Sequence, residues 1–494
     1  MSNFKYDLLK GKMTKIADVQ FAAAVLEWDQ ETYMPEKGAI IRGQQLSTLA
    51  SIAHDMKTEG ELYELVRELS QSLELNKESL KNVCLIKEDI EKEQRLPKEF
   101  VTQLSLATSQ SFHAWQKAKE KRDFNLFAPF LSEMVELKRR EATYLGYEKH
   151  PYNALLHEFE PGATVDFLDN LFENVKQKLI PILAQIKAKK VEKENFFKQD
   201  YPKESLWNLS NYFLLLMGYD FEAGRQDYSA HPFTTSFGSN DVRVTTRYTK
   251  GEFADLLLST IHEGGHALYE QGLLAENYGL PAGSATSLGI HESQSRLWEN
   301  NIGRSLAFWE GVLPKVKEIF PNTFDDKGAI DFFEAVNEVK PSLIRTQADE
   351  LTYHFHILIR YEIEKQLINN EIEVNDLPRI WNEKYKDYLG VDVPSDDLGV
   401  LQDVHWAHGG FGYFPTYSLG SFYAAQFFAT AQKELSGLDN QIKETNFISL
   451  KKWLNDNIHQ FGRLLSGDEI CVKLTGESLN IDYFMQYIKE KHGV

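Results

Sequence analysis

His262, Glu263 and His266 stand in the run Ile261-His262-Glu263-Gly264-Gly265-His266-Ala267-Leu268. Histidines at i and i+4 lie one turn apart on the same face of a helix. Two imidazoles so placed can reach one cation, and Glu263 projects beside them towards the fourth coordination position. This HExxH spacing is that of zinc peptidases, in which two His bind Zn²⁺ and the Glu handles the proton of a water. Helix propensity did not select Gly264 and Gly265, because each glycine costs about 1 kcal/mol against alanine inside a helix. Two in succession predict the close approach of another backbone or of a substrate.

A catalytic zinc takes three protein ligands and keeps one position open. The stretch Ser287 to Arg296 opens a second helix after Pro281 and Gly283, and it offers both His291 and Glu292. Neighbours on a helix diverge by about 100°, so one of the two is expected to face the metal. We choose Glu292, for a His₂Glu set, which leaves His291 to orient a ligand or touch substrate. Eight of the fourteen histidines lie between His231 and His408, as expected of one polar site assembled from several segments. The same motif also serves zinc aminopeptidases and oligopeptidases, and a peptide-binding protein with a structural metal is a reading from another class.

These residues need elements to hold them. Phe253, Leu256, Leu257, Thr260, Ile261 and Leu268 repeat at helical spacing, which predicts a helix from Phe253 to Gly272. Residues 1–230 read as helical almost throughout: Leu62, Leu65, Val66, Leu69 and Leu73 form one stripe, and Phe167, Leu168, Leu171, Phe172, Val175 and Leu179 another. Prolines 97, 129, 151, 161 and 202 punctuate such segments. Trp28 to Pro35, continuing to Gly38, Arg42 and Gln45, reads as a packed loop, and His157 to Gly162 as a structural corner. At His231 the texture changes. His231 to Phe237, the turn Gly238-Ser239-Asn240, and Asp241 to Tyr248 read as a hairpin, the one strong β signal in the chain. An extended peptide can pair with a free strand edge, so this hairpin is a candidate substrate rail.

Composition bounds the function. The 494 residues carry 54 basic and 73 acidic side chains, a net charge of −19, which argues against a nucleic-acid surface. Cys84 and Cys471 show no CxxC spacing and predict reduced thiols rather than a disulfide framework. Phe21 to Leu26 is too short for a signal-peptide core, and no stretch is long and apolar enough to span a membrane. A soluble, cytoplasmic protein is expected.

The motifs also resemble a known family, the HExxH metallocarboxypeptidases of the carboxypeptidase Taq type. His231-Pro232-Phe233 matches its HPF segment, Asp241 to Thr245 its DxRxT, His262 to His266 its HExxH and His291 to Gln294 its HESQ. Ile344 to Asp349 matches IRxxAD, and Gly399 to Trp406 matches GxxQDxHW. The likeness spans nearly the full chain. It implies a mainly α protein, one large helical domain with a deep active-site groove and a small antiparallel hairpin beside the metal helix. It further implies a His₂Glu site for Zn²⁺ with Co²⁺ as a substitute, a homodimer, and broad removal of C-terminal residues from peptides, poor at C-terminal proline. A single peptidase unit over 1–494 is expected, with 1–230 as one wall of the groove and 231–494 carrying metal and substrate sites.

Roles follow for the remaining residues. Glu263 takes the proton of the attacking water and returns it to the leaving amine. His405 and Tyr417, with Tyr413 second, are candidates to stabilise the oxyanion. A carboxypeptidase needs a cation for the terminal carboxylate, best a bidentate arginine; Arg345 is the first choice and Arg243 the second. His231 and Gln402, in matched segments, join His291 and Tyr413 as candidate substrate contacts.

Overall fold

Apolar residues at helical spacing dominate the chain, and helices follow wherever the pattern runs. The computed structural model describes residues 2–189 and 195–494, and among these it contains twenty α-helices and one small sheet. The chain separates into two compact units, one of residues 1–91, 193–336 and 423–480, the other of 92–192, 337–422 and 481–494.

In the first unit the HExxH helix runs Phe253–Gly272, as its periodicity predicts. Aromatic packing anchors its start. Phe253 stacks on Phe197 with ring centroids 5.2 Å apart and meets Phe324 edge-on, also at 5.2 Å. Pairs of this kind contribute about 0.5–1.5 kcal/mol each beyond the area they bury. Halfway along, the two glycines open the helix surface. A Cβ on Gly265 would lie 2.7 Å from the carbonyl oxygen of Gln294 and 2.7 Å from Cα of Ser295. The residue that the sequence reserved for a backbone or a substrate therefore receives a backbone, that of the helix Leu288–Arg296. Gly264 instead admits the side chains of Leu214 and Met217. The Leu288–Arg296 helix starts where Ser287 Oγ accepts the Ile290 N–H at 3.1 Å, and it passes into a π-helical stretch, Leu297–Gly303.

The expected hairpin forms between β2 (Thr234–Ser236) and β3 (Val242–Thr246), with β1 (Gly224–Tyr228) as a third strand. β2 pairs antiparallel with β3, and β1 pairs with it in parallel. Gly238 supplies the turn at φ 115°, a region that other residues rarely enter. The sequence reading missed β1, because Gly-Arg-Gln-Asp-Tyr has no alternation of its own and is held extended by its partner. Two other readings change. Trp28 is buried within a helix that runs on to Thr32, so the loop shrinks to the residues before Pro35. Proline lacks an N–H and biases the residue before it away from helix, so the break falls there. Leu73 lies beyond the helix Gly60–Leu69 and is fully exposed.

In the second unit the helix Tyr353–Ile368 is buried on nearly every face. Its Glu364 accepts from Tyr152 Oη at 2.5 Å, Trp406 Nε1 at 2.8 Å and the Gly412 N–H at 2.9 Å. One carboxyl thereby ties three segments together. Among the described residues no helix is long and apolar enough to cross a membrane.

Candidate active site

Helical periodicity brings His262 and His266 to one face, with ring centroids 4.9 Å apart. The adjoining helix presents Glu292, whose Oε2 lies 3.8 Å from His262 Nε2 and 3.6 Å from His266 Nε2. A tetrahedral cation with bonds of about 2.0–2.2 Å spaces its ligand atoms about 3.3–3.6 Å apart. Two imidazoles and a carboxylate at these separations fit a divalent cation of the zinc type. Among the described residues these three form the one group of this kind.

The second atom of each of these three side chains is also engaged. His262 Nδ1 meets Glu299 Oε2 at 2.8 Å, His266 Nδ1 meets His291 Nδ1 at 2.5 Å, and Glu292 Oε1 accepts from Arg296 Nε at 2.7 Å. Each of these side chains thus turns one atom towards the common point and has the other fixed by the protein. Glu299 also accepts from Arg304 Nη2 at 2.9 Å. Burial would raise the Glu299 carboxyl, but Arg296, His262 and Arg304 outweigh it and hold it far below the carboxylate range. Burial, with His291 and His262 beside it, holds His266 well below the ordinary histidine value. For His262 the neighbouring Glu292 and Glu299 overcome burial and raise it.

Glu263 is buried on the same helix, and β2 positions it: Thr234 Oγ1 lies 2.8 Å from its carboxylate and 2.9 Å from its carbonyl. Burial pushes the Glu263 carboxyl above its ordinary value, against the pull of His262 and Thr234. Such a group is poised to accept and return a proton. Sequence reasoning passed over Glu299, Arg296, Thr234 and Glu270. A signal for two of them was present, since Glu292, Arg296 and Glu299 fall at i, i+4 and i+7 on one helix face.

Arg243 and His231 lie in the same unit. Arg243, on β3, makes two bonds of 2.9 Å to Asp241 and is sandwiched between Trp28 and Phe237, at 4.4 and 4.8 Å from the ring centroids. His231 is exposed, and its carbonyl accepts from Ser229 Oγ at 2.6 Å. The second unit gathers the other candidates. Arg345 is buried and donates Nε to Asp403 at 2.9 Å and Nη1 to Tyr353 Oη at 3.0 Å, while its N–H donates to Gln402 Oε1 at 2.9 Å. His405 Nε2 lies 3.1 Å from Tyr417 Oη, and Tyr413 packs 5.3 Å from the His405 ring and 5.2 Å from that of Tyr417. Burial and then Arg345 lower His405 to about 3, so it is neutral at physiological pH.

Comparison with known proteins places this geometry in a family. The family profile described as carboxypeptidase Taq (M32) metallopeptidase matches residues 8–492. Over 489 residues the chain is 41% identical to Carboxypeptidase 1 of Bacillus subtilis (strain 168), covering 99% of this chain and 97% of that protein. The crystal structure of M32 carboxypeptidase from Deinococcus radiodurans R1 superposes with a TM-score of 0.97 at 35% identity, over 99% of this chain and 100% of that one. Trypanosoma cruzi metallocarboxypeptidase 1 gives a TM-score of 0.94 at 36% identity, over 99% of each chain. A donor set suited to a divalent cation thus sits in a chain that follows its relatives almost from end to end, and the chain belongs to the carboxypeptidase Taq (M32) family of metallopeptidases as a metallocarboxypeptidase.

Proposed function

We propose that His262, His266 and Glu292 hold Zn²⁺, with Co²⁺ as a working substitute, and that Glu263 is the general base and acid of peptide hydrolysis. The observation that carries this reading is the convergence of two imidazoles and a carboxylate within 4.8 Å of one another. When bound, the cation supplies a Lewis acid for the scissile carbonyl and for the water that attacks it. Glu263 takes the proton from that water, held in place by Thr234, and delivers it to the leaving amine. His405 and Tyr417 serve the oxyanion as a pair: the His405 Nε2–H donates to Tyr417 Oη, which leaves the phenol O–H to donate to the oxyanion. Arg345, with Arg243 second, reads the terminal carboxylate, and His231, Gln402 and Tyr413 contact the rest of the peptide. In this reading residues 1–494 act as one broad-specificity peptidase, poor on C-terminal proline, homodimeric and cytoplasmic. The family resemblance supports the specificity and the homodimer, and the composition supports the cytoplasmic location.

Glu263→Gln tests the assignment. The variant is expected to bind Zn²⁺ as the wild type does and to lose kcat by about 10²-fold or more, the usual contribution of a general base. A variant that keeps its metal and near wild-type turnover removes Glu263 from the chemistry.

A further inference from the structure

His291 precedes the ligand Glu292, and helix geometry alone lets only one of two neighbours face a given point. Yet both side chains reach the HExxH helix. Gly265 lets the two helices approach until backbone meets backbone, so residues about 100° apart on one helix straddle the other. Glu292 lies beside His262 and His266, whereas His291 touches the far nitrogen of His266. Beyond it stands Glu270, one turn after His266 on the HExxH helix, with Oε1 2.8 Å from His291 Nε2. Tyr269 flanks the His291 ring at 5.1 Å.

With two neutral imidazoles, this chain of contacts has one consistent arrangement of hydrogens. A carboxylate only accepts, so His291 Nε2 carries the hydrogen that Glu270 receives. In a neutral imidazole the other nitrogen is then an acceptor, so His291 Nδ1 receives from His266 Nδ1 across 2.5 Å. His266 Nε2 is left with its lone pair facing Glu292 and His262, as a metal ligand requires. The reverse order would set two hydrogens or two lone pairs against each other.

We propose that His291 is a positioning residue of the metal centre, which with Glu270 fixes the tautomer and ring plane of His266. The inference rests on the reading of His262, His266 and Glu292 as the metal ligands. The two ligand imidazoles are therefore supported unequally. His262 has the carboxylate of Glu299 directly behind it, whereas His266 has the imidazole of His291 behind it and the carboxylate of Glu270 one step further out. The HES triplet then supplies two services from adjacent residues, a ligand and the orientation of another ligand.

The test is metal affinity of the full-length apo-protein, by competition for Zn²⁺ with a chromophoric chelator. His291→Leu is expected to lose about 10–100-fold in affinity, with thermal unfolding of the apo-protein unchanged. His291→Gln should retain most of the affinity, because its amide oxygen can accept from His266 and its NH₂ can donate to Glu270. The visible spectrum of the Co²⁺-loaded protein should follow the same order, altered in the Leu variant and close to wild type in the Gln variant. Should His291→Leu fold poorly, Glu270→Met removes the outer acceptor and is expected to weaken Zn²⁺ binding in the same direction. Wild-type affinity in His291→Leu, together with a raised KM, overturns the inference and puts His291 on the substrate. A wild-type protein whose Zn²⁺ affinity is indifferent to His262→Ala and His266→Ala overturns the metal site itself, a different failure.

Discussion

Two guanidiniums share the carboxylate of Asp403, Arg345 through Nε at 2.9 Å and Arg360 through Nε at 2.7 Å. All three groups are buried or nearly so, which leaves one positive charge in excess among them. A buried charge without a full partner is costly, and a peptide's terminal carboxylate would balance this one. Arg243 differs, because Asp241 already matches it one to one. Removing Arg345 leaves Arg360 and Asp403 as a balanced pair, so Arg345→Ala is expected to fold. Its kcat/KM on a free peptide should fall about 10- to 100-fold, the contribution of hydrogen bonds to a charged group. On the C-terminal amide of the same peptide the loss should be small. Arg243→Ala should lower both alike. Equal losses on acid and amide in the Arg345 variant would take carboxylate recognition away from this residue.

Between elements, the separation of two helices decides whether the site exists. Gly265→Ala gains about 1 kcal/mol of helix propensity but sets a methyl 2.7 Å from the backbone of the neighbouring helix. Overpacking of this kind costs about 1–3 kcal/mol, and a backbone cannot rotate away. The helix carrying Glu292 must move, so Gly265→Ala should bind Zn²⁺ at least tenfold more weakly than wild type. Gly264→Ala meets the ends of Leu214 and Met217, which can shift, and should bind it nearly normally. Equal affinities in the two variants, measured by chelator competition, would show that the backbone approach is not what sets the third ligand. The same contrast explains what could be read in advance. The HExxH helix and the pairing of its histidines are local consequences of a 3.6-residue period, and the hairpin of a β-branched run around a glycine turn. Glu292 was reachable from the ligand count that a catalytic metal demands. β1, Thr234 beside Glu263, and Arg360 behind Asp403 depend on partners far away in sequence, and no spacing announces them. The π-helical turn after Arg296 is hidden for a related reason, since it is set by packing and not by propensity, although the i, i+4, i+7 spacing of Glu292, Arg296 and Glu299 was there to read.

At the scale of the whole molecule, buried groups of opposite behaviour compete to set the response to acid. Burial and Arg345 lower His405 to about 3, and burial with Arg360 lowers His356 well below its ordinary value. In the unfolded chain both take up a proton near pH 6.5. Each therefore contributes stability that is complete above pH 6.5 and falls by about 1.4 kcal/mol per pH unit below it. Glu364 acts in the other direction, because burial raises it to about 7 despite its three donors. Between pH 7 and about 4.5 the folded protein keeps the Glu364 proton that the unfolded chain has released, so this group gains stability as the pH falls. One carboxyl thus offsets one of the two histidines across most of that window. Glu364→Gln removes the offset. Above pH 7 it is expected to be less stable, since its NH₂ must face a donor where the carboxylate accepted. More tellingly, its unfolding free energy in urea should fall more steeply between pH 6.5 and 4.5, by about 1.4 kcal/mol per pH unit beyond the wild-type slope. Parallel slopes in the two proteins would mean that Glu364 is already ionised in the folded state, held there by Tyr152, Trp406 and the Gly412 N–H.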